Sequence, residues 1–340
     1  MKAVVCQEDH TLKLEDMPEP SIESPTDAVL KIALCSICGS DFHIRDMGLQ
    51  EAGKIIGHEY CGVVEDIGSE VHYLKKGDRV VGKATYTCGH CFYCQHQQAP
   101  LCENGGIFGV FGKDGAQAEY LRVPFAENSL VKIPDGLSFE DVFFTGDILS
   151  TGFTGPLKGH VELGDTVAIF GAGPVGLGSV ATTPLFGASL VISIDILDYR
   201  LEVARKFGAI TINASKEDPV AKIKELTGGR GVDVGIEAAG FEPTFKACMQ
   251  STRRGGRVVQ LGQFVQPILW DVTKRSFDIF EFWIGLGDLD HIPQLMRLIE
   301  KGKLDLKPLI THRFPLTEAL KGYEVFEKKL ENCVKVLLKP

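Results

Sequence analysis

The chain has 340 residues, 44% hydrophobic and 24% charged, so it is long and apolar enough for one large or two medium globular domains. This composition excludes disordered, collagen-like and coiled-coil proteins. The 36 basic and 45 acidic residues give a formal net charge of -9, which argues against nucleic acid and anionic membranes as partners and favours a small metabolite. Ten cysteines are too few for a disulfide scaffold of this length, but four of them lie between positions 88 and 102.

The first segment, residues 1–148, is predicted to be a mostly antiparallel β domain. Its start, Met1-Lys2-Ala3-Val4-Val5, lacks the apolar run and cleavage site of a secretory signal, so we expect a cytoplasmic protein without a membrane partner. Glycine, proline and aspartate turns separate short alternating runs, which predict strands at 28–34, 60–67, 79–82 and 118–123.

Four cysteines form a cluster within a lobe of this domain, at about 86–104. Their spacing is C-x2-C-x2-C-x7-C, and they are Cys88, Cys91, Cys94 and Cys102. Four thiolates with no open position favour a closed structural zinc site that orders a loop. An iron–sulfur cluster and a disulfide pair are the alternatives. Iron–sulfur motifs have other spacings, however, and a cytoplasmic setting disfavours disulfides.

The second segment, residues 149–285, is predicted to be a doubly wound parallel α/β domain. Strand-like runs at 166–170, 190–195, 210–213, 233–238 and 257–262 alternate with helix-like segments such as 199–207 and 219–226. The stretch 166–194 contains no charged residue, but glycines and prolines divide it. It therefore indicates a buried strand, turn, helix and strand rather than a membrane span. Pro184 predicts that the helix kinks or ends there.

A glycine-rich turn follows the strand at 166–170 and opens a helix. Its sequence is Gly171-Ala172-Gly173-Pro174-Val175-Gly176, a G-x-G-x-x-G match in the setting that predicts dinucleotide binding. Gly171 would permit the tight turn, Gly173 would let the backbone approach a pyrophosphate, and Gly176 would allow close packing of helix on strand. Pro174 suits the first turn of a helix. The alternative is a turn that only caps a helix.

Two polar residues after the next strand bear on the choice of cofactor. Asp195 stands at the predicted end of that strand, where a carboxylate accepts hydrogen bonds from an adenosine ribose and repels a 2′-phosphate. Arg200 could contact a 2′-phosphate instead. Because Asp195 would lie nearer the ribose, the sequence favours NAD over NADP.

The last segment, residues 286–340, lacks a further strand–helix unit of this kind. Its pattern predicts an amphipathic helix near 292–300, a strand near 309–314, a helix at 317–329 and a terminal strand at 333–338. We expect this tail to rejoin the first domain.

Several motifs in a fixed order resemble one family. They are Cys38-Gly39-Ser40-Asp41-Phe42-His43, Gly57-His58-Glu59, the four-cysteine lobe, Gly115-Ala116-Gln117-Ala118-Glu119-Tyr120 and the Gly171 turn. In this order they resemble the zinc-containing medium-chain dehydrogenase/reductase family, the alcohol and polyol dehydrogenases. The resemblance implies a GroES-like catalytic domain, a Rossmann NAD-binding domain and a homo-oligomer, with a tetramer favoured over a dimer.

The resemblance also implies a second zinc ion, so that each chain would hold one catalytic and one structural zinc. Its ligands would be Cys38, His58 and Asp147, which leave a fourth position open. Asp147 stands where the liver-type enzymes have a cysteine. Glu59 would lie behind the metal, and Asp41 would accept a hydrogen bond from the His58 ring and fix its tautomer.

The implied reaction is reversible hydride transfer between a primary or secondary alcohol and NAD, with the alcohol bound to zinc as an alkoxide. Ser40 and His43 would carry the proton away. Gly39 replaces the arginine that binds pyrophosphate in liver-type enzymes, so Lys335 is expected to assist the Gly173 backbone in binding phosphate. A polyol (sorbitol- or butanediol-type), threonine or formaldehyde dehydrogenase is the nearest alternative, and a non-catalytic NAD-binding protein is a remote one.

Some aromatic residues and cysteines outside these motifs are expected to line a pocket or to pack in the core. Three aromatic residues are candidates for an apolar substrate pocket, namely Phe108, Phe111 and Trp283. Five cysteines outside the two predicted metal sites are expected to pack as small hydrophobic residues, namely Cys6, Cys35, Cys61, Cys248 and Cys333.

Overall fold

The computed structural model describes residues 1–270, 273, 278 and 280–340. The chain divides into two compact units, the first formed by Met1–Asp147 and Asp288–Pro340 and the second by Ile148–Gly287. The sequence placed these boundaries at 148/149 and 285/286. The C-terminal segment belongs to the first unit in this division.

The strands and helices of the described residues are numbered in chain order. The strands are β1 (Lys2–Cys6), β2 (Leu12–Asp16), β3 (Ala28–Ile37), β4 (Tyr60–Ile67), β5 (Arg79–Gly82), β6 (Thr85–Tyr86), β7 (Gly106–Ile107), β8 (Tyr120–Val123), β9 (Leu130–Lys132), β10 (Thr166–Phe170), β11 (Leu190–Asp195), β12 (Ile210–Asn213), β13 (Val232–Glu237), β14 (Thr252–Gln260), β15 (Glu281–Ile284), β16 (Ile310–Pro315) and β17 (Lys335–Lys339). The α-helices are α1 (Gly39–Asp46), α2 (Phe92–Gln95), α3 (Ala126–Ser129), α4 (Phe139–Val142), α5 (Ile148–Lys158), α6 (Pro174–Thr182), α7 (Asp198–Lys206), α8 (Pro219–Leu226), α9 (Glu242–Ser251), α10 (Ile292–Glu300) and α11 (Ala319–Glu327).

The first unit is built on a seven-stranded sheet in the order β16-β17-β3-β4-β5-β9, with β8 also paired to β3. Strand β3 is antiparallel to β4, β8 and β17. The terminal strand β17 pairs with Cys35, Ser36 and Ile37, the last residues of β3. This pairing places the end of the chain beside the strand that leads into Cys38.

The second unit is a six-stranded parallel sheet in the order β12-β11-β10-β13-β14-β15. Strands β10 and β11 are mostly apolar and buried, as expected of parallel strands with both faces covered. Strand β14 begins at Thr252, earlier than the predicted 257, because its first residues are Thr-Arg-Arg-Gly-Gly and carry no apolar pattern. Helix α6 ends at Thr182, and Pro184 lies in the 3₁₀ turn that follows, which confirms that the helix ends there.

The five cysteines without a predicted metal role are each at most 1% exposed, which confirms that they pack as small hydrophobic residues. Within the residues that the structure describes, no helix combines the length and apolar character that crossing a membrane requires.

Asp141 forms a capping box with Ser138 at the start of α4. Its carboxylate accepts from Ser138 N at 2.8 Å and from Lys307 Nζ at 2.6 Å. The bond from Lys307 and that from Ser138 lower the pKa of Asp141 to about 2. We expect Asp141→Asn to lower the free energy of unfolding at pH 7 by about 1 to 2 kcal/mol, allowing for the partial exposure of this pair.

The pH dependence of this effect has a defined sign. Because the folded pKa lies below the unfolded value of about 3.9, the stabilisation is present above pH 4 and is lost as the pH falls towards 2. Urea denaturation should therefore show about half of the pH 7 difference at pH 3. An equal difference at both pH values would contradict the assignment.

Candidate metal and cofactor sites

Four potential ligand side chains converge in the first unit. Cys38 follows β3 and caps the start of α1, His58 and Glu59 directly precede β4, and Asp147 directly precedes α5. One potential ligand atom from each of these residues lies within 4.8 Å of those from the other three. The structure therefore brings together the three residues predicted to bind the catalytic zinc and the glutamate predicted to lie behind it.

Burial and the neighbouring side chains shift the pKa values of the titratable groups in this cluster. Burial opposes a charge on His58, but the neighbouring Cys38 and the bond to Asp147 hold the pKa of the imidazole well above its ordinary value. Burial likewise opposes a charge on Asp147, yet His58 keeps the pKa of that carboxyl below its ordinary value. The pKa of Glu59 is raised by burial. Such a buried group of acids gains from a cation at its centre.

The donor set fits a zinc ion. It offers one thiol, one imidazole and two carboxylates, which are ligands that zinc accepts. His58 Nε2 lies 3.5 Å from Asp147 Oδ2, and Glu59 Oε1 is buried without a hydrogen-bond partner among the described residues. A metal ion bound at this site would give such a buried atom the partner that it otherwise lacks.

Two of the residues predicted to support these ligands, Asp41 and Ser40, border the cluster. Asp41 Oδ1 is 3.4 Å from His58 Nδ1. The Ser40 hydroxyl is 3.2 Å from Cys38 Sγ and 3.3 Å from His58 Nε2, so it borders the cluster. His43 lies further along α1 and is half-buried.

Lys335 is buried beside the predicted metal ligands. Its side chain is 0% exposed, and its Nζ atom is 2.5 Å from Glu59 Oε2. Burial opposes the charge, but Glu59 raises the pKa of Lys335 above its ordinary value. The phosphate contact expected of Lys335 stays a prediction. In the structure its buried ammonium pairs with the buried Glu59 carboxylate and neutralises charge beside the metal ligands.

The four-cysteine lobe also fits zinc. Its four Sγ atoms lie within 4.8 Å of one another, with Cys102 3.5 Å from Cys88 and 3.8 Å from Cys91. Zinc–sulfur bonds of about 2.3 Å in a tetrahedron give sulfur–sulfur distances of about 3.8 Å. Burial opposes ionisation of Cys88, but backbone N–H groups of His90 and Cys91 and the amide of Asn104 lower the pKa of this thiol to about 6.

The glycine turn of the second unit has an open surface. Gly171 has a positive φ of 98°, and a Cβ atom on Gly176 would lie 1.8 Å from the Gly171 carbonyl oxygen, so both positions require glycine. A Cβ atom on Gly173 would approach only Arg200 Nη1, at 3.9 Å. Pro174 and Val175 begin α6, whose N-terminus would face an anion above Gly173. This space fits the pyrophosphate of a dinucleotide.

Asp195 lies beside this turn at the end of β11. Its Oδ2 atom accepts from Ala172 N at 2.7 Å, and its Oδ1 atom accepts from Ile196 N at 2.7 Å. Arg200 Nη1 is 4.0 Å from Asp195 Oδ2. The structure thus brings together the two residues that bear on the choice between NAD and NADP.

Sequence reasoning assigned no role to three residues that line the back of the cluster. The Ser36 hydroxyl donates to Glu59 Oε2, and Gln117 and Tyr323 contact Asp41. Gln117 stands within a quoted motif, but no sequence signal links Tyr323 to the site. Phe108, expected as a pocket residue, is 1% exposed and packs against Tyr60 and Tyr86 in the core.

Comparisons with known proteins agree with this fold and site. Residues 24–135 match the alcohol dehydrogenase GroES-like domain, and residues 174–301 match the zinc-binding dehydrogenase domain. An alcohol dehydrogenase from Cupriavidus necator is 36% identical, over 100% of this chain and 99% of that protein. The structure of alcohol dehydrogenase TADH from Thermus sp. ATN1 is similar with a TM-score of 0.96 and 38% identity, covering 100% of both chains.

The chain therefore belongs to the zinc-containing medium-chain dehydrogenase/reductase family. Its α/β fold, a GroES-like domain with a Rossmann domain, and its class, an oxidoreductase of the zinc-dependent dehydrogenases, follow from this membership.

Relatives of comparable similarity differ in the substrates and cofactors that they are named for. An L-threonine 3-dehydrogenase from Bacillus velezensis is 34% identical, over 100% of this chain and 99% of that protein. A zinc-binding dehydrogenase from Sinorhizobium meliloti, solved with bound NADP, has a TM-score of 0.89 and 29% identity, covering 100% of this chain and 99% of that one. Membership in this family alone therefore does not determine the substrate or the dinucleotide.

Proposed function

We propose that this protein is an alcohol dehydrogenase that uses zinc and NAD to interconvert a primary or secondary alcohol and its carbonyl compound. The observation that carries the proposal is the convergence of Cys38, His58 and Asp147 with the Ser40 hydroxyl at the edge of the cluster. Asp195 beside the glycine turn supports NAD as the dinucleotide. We further propose a cytoplasmic homo-oligomer, as a tetramer.

Three sets of residues would hold the two zinc ions and the dinucleotide. Cys38, His58 and Asp147 would hold the catalytic zinc, and Cys88, Cys91, Cys94 and Cys102 a structural zinc. The dinucleotide would lie on the Gly171–Gly176 turn, with Asp195 and Arg200 at its adenosine end. When bound, zinc supplies a Lewis acid for the substrate oxygen and NAD supplies the hydride acceptor.

Four further side chains would serve the reaction without holding a cofactor. The Ser40 hydroxyl, 3.3 Å from His58 Nε2, would take the proton of the substrate alcohol, and His43 would pass it on. Asp41 would hold the ring of His58. Glu59, paired with Lys335, would add negative charge beside the ligands.

Ser40→Ala tests the proton path. Loss of the hydroxyl should lower kcat roughly 100-fold, because a positioned proton acceptor contributes at least that much. Zinc content by metal analysis and NADH binding by fluorescence should stay at parental values. Ser40→Thr keeps a hydroxyl and is the matched control. A Ser40→Ala enzyme that oxidises alcohol at the parental rate would rule out this role.

The experiment that tests the function combines metal analysis with assays on primary, secondary and polyhydric alcohols, each with NAD and with NADP. We expect two zinc ions per chain, turnover of simple alcohols and preference for NAD. Fewer than two zinc ions in carefully purified protein would count against one of the two sites. Exclusive use of NADP would overturn the role of Asp195.

A dehydrogenase for polyols or threonine is the second candidate function. It is favoured by the full-length similarity to an L-threonine 3-dehydrogenase and by Gly39, which stands where liver-type alcohol dehydrogenases carry an arginine. Turnover of threonine or a polyol in preference to every simple alcohol would establish it.

A further inference from the structure

We propose that Gln117 and Tyr323 are positioning residues for the His58 ligand and that they act through Asp41. Gln117 lies three residues before the start of β8, and Tyr323 lies on α11 in the C-terminal segment. All three side chains are buried, with Asp41 and Gln117 0% exposed and Tyr323 5% exposed. The inference rests on the proposed function to the extent that the Cys38 cluster binds zinc.

The contacts form a short chain of donors that ends on one oxygen of Asp41. Tyr323 Oη lies 2.8 Å from Gln117 Oε1 and 3.3 Å from Asp41 Oδ2. Gln117 Nε2 lies 3.0 Å from Asp41 Oδ2 and 3.0 Å from the carbonyl oxygen of Ser36. The backbone N–H of Cys38 also donates to Asp41 Oδ2, at 2.9 Å.

The chemistry of these groups fixes the direction of each bond. A tyrosine hydroxyl has one hydrogen, and the nearer acceptor for it is Gln117 Oε1. The opposite orientation of the Gln117 amide would turn its oxygen towards two acceptors, the Ser36 carbonyl and the Asp41 carboxylate. Gln117 therefore donates both amide hydrogens, and Tyr323 holds it in that orientation.

The directions of these hydrogen bonds leave one carboxylate oxygen of Asp41 available to His58. The N–H groups of Cys38 and Gln117 donate to Asp41 Oδ2. Asp41 Oδ1 is buried without a hydrogen-bond partner among the residues that the structure describes, and it faces His58 Nδ1 at 3.4 Å. An acceptor in that place favours the tautomer with its proton on Nδ1. The lone pair of the neutral ring then lies on Nε2, the atom that faces Ser40 and Asp147. Gln117 and Tyr323 thereby prepare Nε2 to bind metal.

Zinc affinity tests the proposal directly. Zn²⁺ is titrated into metal-depleted protein in competition with a chromophoric chelator, and the catalytic site is identified as the equivalent that Cys38→Ser removes. Tyr323→Phe keeps the ring against Phe42, at 5.5 Å between centroids, and should weaken that site roughly 2- to 10-fold, the range for one hydrogen bond. Gln117→Leu should weaken it about 10- to 100-fold.

Tyr86→Phe is the matched control, because it removes the hydroxyl of another buried tyrosine of the first unit. It should leave the zinc affinity of the catalytic site within twofold of the parent. The four-cysteine site should be unchanged in Tyr323→Phe and Gln117→Leu, whose residues lie outside the lobe at 86–104. Melting temperatures are measured alongside to detect a general loss of stability.

The proposal is overturned if Tyr323→Phe and Gln117→Leu bind zinc at this site as tightly as the parent, or if Tyr86→Phe weakens it as much as Tyr323→Phe does. Failure of the proposed function looks different. In that case Cys38→Ser removes no zinc equivalent from the parent protein, whatever the other variants show.

Discussion

Asp147→Asn is expected to remove one of the two zinc ions per chain and to lower kcat/KM roughly 10³-fold. Asparagine keeps the size of the side chain but loses the negative charge, which with the Cys38 thiolate balances the charge of a divalent ion. His58 Nε2 and Asp147 Oδ2 lie 3.5 Å apart in the parent, so the two atoms would share one ion, and the substitution removes one of them. The remaining cysteine and histidine then bind zinc weakly.

Asp141→Asn provides the matched control, since it is the same substitution in the same unit at a residue that binds Ser138 and Lys307 instead of the cluster. Metal analysis should find two zinc ions in that variant and one in Asp147→Asn. Steady-state assays should show parental kcat/KM for the control. Asp147→Asn protein with two zinc ions and parental activity would exclude Asp147 as a ligand.

Much of the second unit could be predicted from sequence because its structure is encoded locally. A parallel strand buried on both faces is a short apolar run, and the structure has β10, β11 and β12 at the predicted residues. The glycine turn could also be predicted, because the positive φ of Gly171 and the 1.8 Å approach of a Gly176 Cβ atom to the Gly171 carbonyl oxygen are local demands for glycine. The start of strand β14 was not predicted, because the pairing of Thr252 with Val232 of β13 extends the strand through polar residues that carry no apolar pattern.

Two contacts at the back of the metal cluster could not be predicted, because each joins residues far apart in sequence. Lys335 reaches Glu59 only because β17 pairs with the end of β3, a register that no local pattern indicates. Tyr323 reaches Asp41 through the same return of the C-terminal segment. Family resemblance supplied Cys38, His58 and Asp147, but it carried no information on these supporting contacts.

Removing one partner of the buried pair of Lys335 and Glu59 should strongly destabilise the protein. Lys335 is 0% and Glu59 3% exposed, and Glu59 also accepts a hydrogen bond from Ser36. Lys335→Met removes the ammonium and leaves the Glu59 carboxylate buried without its cation. We expect the free energy of unfolding to fall by about 3 to 5 kcal/mol, the usual cost of breaking such a pair.

A double-mutant cycle separates the ion pair from the packing of the lysine side chain. Lys335→Met combined with Glu59→Gln should recover most of the lost stability, because no charge is then buried alone. Urea denaturation of the parent, both single variants and the double variant measures the coupling. If the double variant is as unstable as the sum of the single variants, the two charges do not interact, and the effect of Lys335 comes from packing between β17 and β3.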